Sequence, residues 1–177
     1  MITKKIRTME PIVEVKQNTI ILMWNPTISS YTMERFESDL KDLYAGWMDD
    51  DFNWSVWEYE KAKEGDKFFM VKVGPGTNGI VMAGKFISEP YKDEDWSGKK
   101  RTVYYMDMEV THMIHPDRCP LLTSEILTEE IPDFVWTGGH SGQLLNDEQA
   151  KKLHALWDAY LNGNLDVFEI RAAKLVD

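Results

Sequence analysis

The feature that most constrains this 177-residue sequence is a pair of almost entirely apolar segments joined by turn-forming residues. The segments are 67–73 (KFFMVKV) and 79–88 (GIVMAGKFIS), and the residues between them include Pro75, Gly76 and Asn78. Strands that are apolar on both faces are typical of sheets or barrels whose two faces are both covered. We therefore expect a central β-hairpin in a curved sheet, with a bend or bulge at Gly84.

The remaining elements follow from periodicity and capping residues. Strands are predicted at 19–24 and 102–114, and helices at about 33–45, 56–63, 123–131 and 147–161. Ser30 or Thr32 can cap the first helix, and Gly46 can end it. The helix at 56–63 rests on a capping-box spacing of Ser55 and Glu58, and the last helix on the same spacing of Asn146 and Gln149. This irregular order predicts an α+β fold, a curved and mostly antiparallel sheet flanked by helices. The expected organisation is an arm or extra strand at 1–18, one domain at 19–163 and a tail at 164–177.

The charge of the chain argues against one class of function. A formal net charge of −10 is wrong for a protein that grips duplex DNA through its phosphates, because that mode needs many basic contacts. The single cysteine, Cys119, excludes an internal disulfide and predicts a reducing, cytoplasmic location. We expect no membrane segment, since no apolar run is long enough to span a bilayer.

Tryptophans are the most conspicuous candidates for a binding surface. The chain has seven, so most of them are expected in the core, above all Trp47 and Trp157. Trp96 differs, because it stands among Lys, Asp, Glu, Ser and Gly and has no obvious core to enter. Trp54 and Trp57 lie at the start of the segment 54–98, which contains the hairpin, and Trp96 lies near its end. This placement suggests aromatic rings at both ends of a concave surface.

Catalytic and metal sites are predicted less well by the sequence. His112, His115 and Cys119 lack the spacing of a zinc site, and the acidic run 49–51 lacks the glycine and distal glutamate of a calcium loop. His140 and Ser141 are adjacent, and adjacent side chains seldom point at each other as a base and a nucleophile must. We expect no metal, no cofactor and no enzymatic activity.

Several short motifs, taken in order, resemble the EVE domain of the PUA-like superfamily over about residues 19–160. They are Trp54-x-Val56-x-x-Tyr59, Gly65-Asp66-x-Phe68-Phe69, Gly79-Ile80-Val81, Pro90-Tyr91-x-Asp93 and the closing segment from His140 to Leu145. Asn25 stands where the family has glutamate before Pro26, and Trp57-Glu58 stand where it has arginine and asparagine. The resemblance implies a PUA-like pseudobarrel.

Val56-Trp57 and Asp95-Trp96-Ser97-Gly98 also resemble the segments from which the related YTH domains build an aromatic cage for a methylated adenine. The resemblance implies that Trp57 and Trp96 are cage walls and that the chain binds a modified or flipped nucleobase in DNA or RNA, with an effector protein as a further expected partner. The full set of candidate ligand-binding residues is Trp57, Trp96, Trp54, Ser55, Asn53, Trp24, Asn25, Ser141 and His140.

Two other functions fit the same fold. One is a pocket for a free nucleotide-like small molecule, which the acidic charge favours. The other is a protein-interaction scaffold that has lost the pocket, in which Trp57 and Trp96 would be packed shut.

Overall fold

The computed structural model describes residues 16–48, 52–94 and 102–165. Within these ranges the chain forms seven strands and three helices. In chain order they are β1 (Thr19–Trp24), α1 (Met33–Ala45), β2 (Asn53–Ser55), β3 (Lys67–Lys72), β4 (Gly79–Phe86), β5 (Tyr91–Glu94), β6 (Thr102–Met113), α2 (Ser124–Glu130), β7 (Gln143–Leu144) and α3 (Asp147–Gly163).

All seven strands belong to one curved sheet in the order β2-β6-β4-β3-β1-β7, with β5 also paired to β6. The β1–β3 pair is parallel and the other pairs are antiparallel. The long strand β6 pairs with β4 through its second half and with β2 and β5 through its first half. The α+β class and the curved, mostly antiparallel sheet predicted from the sequence are therefore confirmed.

The central hairpin is the core of the sheet, as its composition predicts. Apolar side chains on both faces of β3 and β4 are buried, among them Phe68, Met70, Val71, Ile80, Val81 and Met82. The β4–β6 register shifts between Ala83 and Gly84, where a Cβ on Gly84 would lie 2.0 Å from the carbonyl oxygen of Glu109. The expected irregularity at Gly84 is a bulge that brings the two backbones into contact.

Two of the helices begin as their sequences predict. Thr32 caps α1 by accepting a hydrogen bond from the backbone of Arg35, and α1 ends at Gly46 in the left-handed region. Asn146 and Gln149 form a complete capping box at the start of α3. The helix predicted at 56–63 is wrong, because residues 57–61 form turns. The sequence did not predict β5, which is mostly polar and pairs through its backbone with β6.

Helix α3 packs on the sheet through Trp157, with a histidine on either side. Trp157 meets the ring of Phe69 edge-on at 5.4 Å and that of His112 at 5.6 Å. His154, one turn earlier on α3, lies 2.9 Å from the hydroxyl of Thr19. Burial lowers the pKa of both histidines, and the nearby Lys67 lowers that of His154 further.

These two histidines predict that the protein loses stability in mild acid. Their folded pKa values lie below the ordinary value of 6.5, so the unfolded chain takes up protons first as the pH falls. The stability that depends on keeping these two histidines neutral is therefore fully present above about pH 6.5 and is lost as the pH falls through their folded pKa values. Urea unfolding at pH 7.5 and pH 5.5 measures this loss.

A variant with both His112 and His154 replaced by glutamine should show a smaller loss between these two pH values. The pKa of Glu37 is lowered by its hydrogen bond to His115, but that carboxylate titrates below its ordinary value of 4.5 and acts in a separate window. An equal loss in the double variant would contradict the assignment to the histidines.

Candidate ligand-binding site

Trp57 is an exposed aromatic side chain on a firmly held backbone. It follows β2 in the 57–61 turns, and 58% of its surface is accessible to solvent. Its backbone N–H donates to the carbonyl of Ser141 at 3.0 Å, and that of Glu58 donates to the carbonyl of Gly142 at 3.0 Å. The segment 141–142 is fixed in turn, because the N–H of Gly142 donates to Ile21 in β1.

The side chain of Glu58 explains why the predicted helix does not form. In a capping box this carboxylate would accept the backbone N–H of Ser55. In the structure it accepts the backbone N–H of Leu144 in β7 and lies 3.8 Å from the ammonium of Lys61. A partner distant in sequence therefore replaces the local one, and Glu58 joins the turn to β7.

The segment 140–142 passes very close to the Trp57 backbone. A Cβ on Gly142 would lie 2.5 Å from the nitrogen of Trp57 and 2.5 Å from the Cα of Val56. The φ angle of Gly142 is +98°, in the left-handed region that favours glycine. This approach sets the position of His140 relative to Trp57.

One face of the Trp57 indole is covered by the imidazole of His140. The ring centroids lie 3.7 Å apart and the planes differ by 2°, so the two rings are parallel and in contact. His140 is itself exposed. With 58% of its surface accessible, Trp57 offers a planar ring surface to solvent beside its contact with His140.

Ser141 supplies a polar group on the same segment. Its Oγ accepts the backbone N–H of Met23 at 2.9 Å and the indole N–H of Trp54 at 3.1 Å. A hydroxyl has two acceptor sites and one proton. Both acceptor sites are therefore used by these donors, and the proton is left to donate to a further group.

Trp54 supports the site from the protein interior. It is partly buried and packs edge-on against Tyr31, with centroids 5.6 Å apart and planes at 87°. Tyr31 also packs against Phe52 and Trp24, which makes one aromatic cluster between α1 and β2. Burial, followed by the hydrogen bond to Asp39, raises the pKa of the Tyr31 hydroxyl well above its ordinary value, so this cluster stays neutral.

The structure separates the other predicted site residues. Trp24 is buried and donates its indole N–H to the carbonyl of Tyr31, which places it in the core. The Oδ1 of Asn25 accepts both the backbone N–H and the hydroxyl of Thr27 in a local turn. Asn53 and Ser55 are half-buried on β2, where they pair with β6. The structure therefore brings together Trp57, His140, Ser141 and Trp54.

Trp47 and Trp157 were both expected in the core, and the structure separates them. Trp157 is buried, whereas Trp47, just after α1, is 78% exposed, so that prediction is wrong. Trp47 is the second residue beyond the helix, and its backbone N–H donates to Asp42. Trp136 is also buried, and its indole N–H donates to the carbonyl of Ile131. Trp96, the second expected cage wall, lies outside the described residues.

A second aromatic pair lies beside the site and was not predicted. Tyr59 and Tyr104 are stacked with centroids 3.6 Å apart and planes 4° apart. The ammonium of Lys92 lies 5.8 Å from the ring centroid of Tyr104. The sequence did not predict this pair, because Lys92 and Tyr104 become neighbours only when β5 pairs with β6.

Within the described ranges, no group of three side chains is arranged to hold a metal ion. None of the helices in those ranges is long and apolar enough to cross a membrane.

No protein-family model and no curated protein matches the sequence. Among solved structures, the chain is similar to a hypothetical protein from Leishmania major, at 12% identity and a TM-score of 0.51 over 82% of this chain and 98% of that one. It is also similar to the YTH domain-containing protein mmi1 in complex with RNA, at 11% identity and a TM-score of 0.48 over 85% and 87%. A third similar structure is a protein from Rhodopseudomonas palustris, at 16% identity and a TM-score of 0.48 over 78% of this chain and 92% of that one. Identities this low can show no more than a shared fold, and the TM-score of 0.51 shows it for the Leishmania major protein.

Proposed function

We infer that this protein is a non-catalytic module that binds a nucleobase by stacking it on Trp57. The observation that carries the proposal is the combination of exposure and rigidity at this residue. An indole with 58% of its surface in solvent can accept a planar ring, and the backbone N–H groups of Trp57 and Glu58 are held by hydrogen bonds to Ser141 and Gly142. A ring on a backbone fixed in this way loses little conformational freedom when a ligand binds.

The chemistry around Trp57 suits a planar heterocycle. Stacking a base on an aromatic side chain contributes about 1–3 kcal/mol and does not depend on which base it is. The hydroxyl proton of Ser141 can donate to an acceptor on the ring edge, as recognition of a base edge requires. A methyl group adds apolar area, and a methyl that gives the ring positive charge adds attraction to the indole face. The motif resemblance to EVE and YTH domains supports a modified base in DNA or RNA.

A free nucleotide-like small molecule is the second candidate, and the charge of the chain favours it. With a net charge of −10, the protein repels a polyanion at long range, whereas a single nucleoside meets little repulsion. Binding of a nucleic acid changes with salt, because salt screens the interaction between the charges of the chain and the phosphates, and binding of a neutral nucleoside hardly changes. The exposure of Trp57 argues against the scaffold with a closed pocket, in which that ring would be packed shut.

The chain offers a matched pair of variants for the test, because Trp57 and Trp47 are both exposed. Trp57→Ala is expected to weaken binding of the best nucleoside or short single strand by about tenfold or more, since the stacking contact is lost. Trp47→Ala should leave the affinity unchanged. Trp47→Ala should unfold within about 0.5 kcal/mol of the wild type, because an exposed side chain contributes little to stability. Trp57→Ala should lose about 0.5–1.5 kcal/mol, because it also removes the stack with His140.

Isothermal titration with plain and methylated nucleosides and single strands, at two salt concentrations, measures these affinities. Equal losses in Trp57→Ala and Trp47→Ala, or no binding of any member of the panel, would overturn the proposal. A flat salt dependence with an intact Trp57 effect would favour the free small molecule.

A further inference from the structure

His140 occupies a position that a nucleobase would take in a stacking site. Its imidazole is planar, aromatic and nitrogen-rich, and it lies parallel to Trp57 at 3.7 Å with planes 2° apart. Aromatic side chains in proteins more often meet offset or edge-on, at centroid separations of about 4.5–7 Å. Parallel contact at the separation seen here is the arrangement that a bound base adopts on an aromatic side chain.

The backbone around His140 separates a loose side from a fixed side. Immediately after it, Ser141 and Gly142 are tied to β1, to Trp54 and to the Trp57 turn by hydrogen bonds. Immediately before it, a Cβ built on Gly138 or on Gly139 would meet no atom within 4 Å. His140 is exposed and the space beside Gly138 and Gly139 is open, so its side chain has room to rotate away from Trp57 while the segment 141–142 stays in place.

The face of Trp57 under His140 already accepts an aromatic ring in parallel contact. The residues that follow His140 are fixed, since the Oγ of Ser141 accepts from Met23 and Trp54 and the N–H of Gly142 donates to Ile21. A ring that takes the place of the imidazole thus lies beside a segment that stays in place. A bicyclic base also overlaps the bicyclic indole over a larger area than the imidazole does, so the exchange favours the ligand.

We propose that His140 is an internal occupant of the ligand site, stacked on Trp57 in the free protein and exchanged for the nucleobase on binding. This inference rests on the proposed function, because it names what covers that site in the absence of ligand. The imidazole competes with the ligand for the indole face and therefore weakens the binding of any ring that stacks there. A binding-competent state that is partly blocked lowers the apparent affinity by the fraction that is open.

The sign of the effect of His140→Ala tests the exchange. Removing the occupant is expected to raise the affinity about two- to tenfold, since the ligand no longer competes with an aromatic pair. His140→Trp, with a larger internal ring, should lower the affinity below that of the wild type. If His140 instead backed the indole while the ligand bound the opposite face, His140→Ala would weaken binding. Isothermal titration of the three proteins against the same nucleoside distinguishes these outcomes.

A second measurement follows the imidazole itself. In the free protein the indole ring current should shift the His140 ring protons upfield, and Trp57→Ala should remove that shift. On titration with the nucleoside, the His140 signals should move to the positions that they have in Trp57→Ala. Upfield signals that persist at saturation would overturn the exchange.

The two proposals can fail separately. Weaker binding in both His140→Ala and Trp57→Ala would overturn the exchange and leave the nucleobase site standing. Absence of binding in the wild type and in His140→Ala would overturn both proposals.

Discussion

Replacing Asp66 by alanine is expected to lower the free energy of unfolding by about 3–5 kcal/mol, one of the two largest effects that the structure predicts. The side chain is fully buried at the start of β3. Its Oδ1 accepts the backbone N–H of Asn18 at 2.9 Å, and its Oδ2 accepts the amide of Asn18 at 2.9 Å and the backbone N–H of Lys63 at 2.8 Å. Alanine would leave these donors without their acceptor.

Asp66 has this effect because its side chain joins two separate parts of the fold. It holds the segment before β1 through Asn18 and the turn before β3 through the backbone of Lys63. The ammonium of Lys63 lies 3.6 Å from the carboxylate and supplies a compensating charge. A buried carboxylate that accepts several hydrogen bonds is strongly destabilising to remove, because each of its half-buried donors loses a charged acceptor.

Urea unfolding followed by tryptophan fluorescence measures the Asp66 effect. Glu129→Ala, at an exposed carboxylate on α2, is the matched control and should change stability by less than about 0.5 kcal/mol. Asp66→Asn keeps the shape but turns one acceptor into a donor that faces an N–H group, so it should also be destabilising. Similar unfolding midpoints for Asp66→Ala and the wild type would contradict the structural role assigned here.

Replacing Gly142 by alanine is expected to destabilise the protein by about 2–5 kcal/mol and to disrupt the site at the same time. The new methyl group would lie 2.5 Å from the backbone of Val56 and Trp57, and the φ angle of +98° is strained for any other residue. The backbone hydrogen bonds from Trp57 and Glu58 to the 141–142 segment cannot keep their length when the two segments separate.

Gly139 is the matched control for this substitution. Its φ angle is +101°, close to that of Gly142, but a Cβ there would meet no atom within 4 Å. Gly139→Ala should therefore cost only the backbone strain, about 1 kcal/mol. Thermal unfolding gives the stability of both variants. The His140 ring-proton shifts show whether the stack on Trp57 survives, as it should in Gly139→Ala alone. Equal stability losses at the two glycines would mean that the close approach contributes nothing.

Patterns that depend on neighbouring residues were predicted well from the sequence. The apolar runs at β1, β3 and β4 form central strands of the sheet, where side chains on both faces are buried. The caps of α1 and α3 form as predicted because Thr32, Asn146 and Gln149 satisfy backbone groups within three residues. The bulge at Gly84 was readable for a similar reason, since a mid-strand glycine marks a close approach.

Patterns that depend on distant partners were not predictable in the same way. Ser55 and Glu58 have the spacing of a helix start, but Glu58 binds Leu144, which lies 86 residues further along the chain. Trp47 was expected in the core, and only the packed fold shows that it is exposed. A local spacing therefore predicts a hydrogen bond between near neighbours, but a partner brought in by the tertiary fold can take its place, as Leu144 does for Glu58.

The sequence by itself determined the α+β class and the central hairpin, because both depend on residue type and short-range spacing. Its motif resemblance to EVE and YTH domains pointed to Trp57 and to the segment with His140 and Ser141 as candidates. Only the tertiary structure decided that His140 covers Trp57 and that Ser141 joins Met23 to Trp54. The physical reason is that these contacts join β1, the Trp57 turn and the 140–142 segment. Hydrogen bonds and close backbone packing at Gly142, absent until the sheet has formed, bring those segments together.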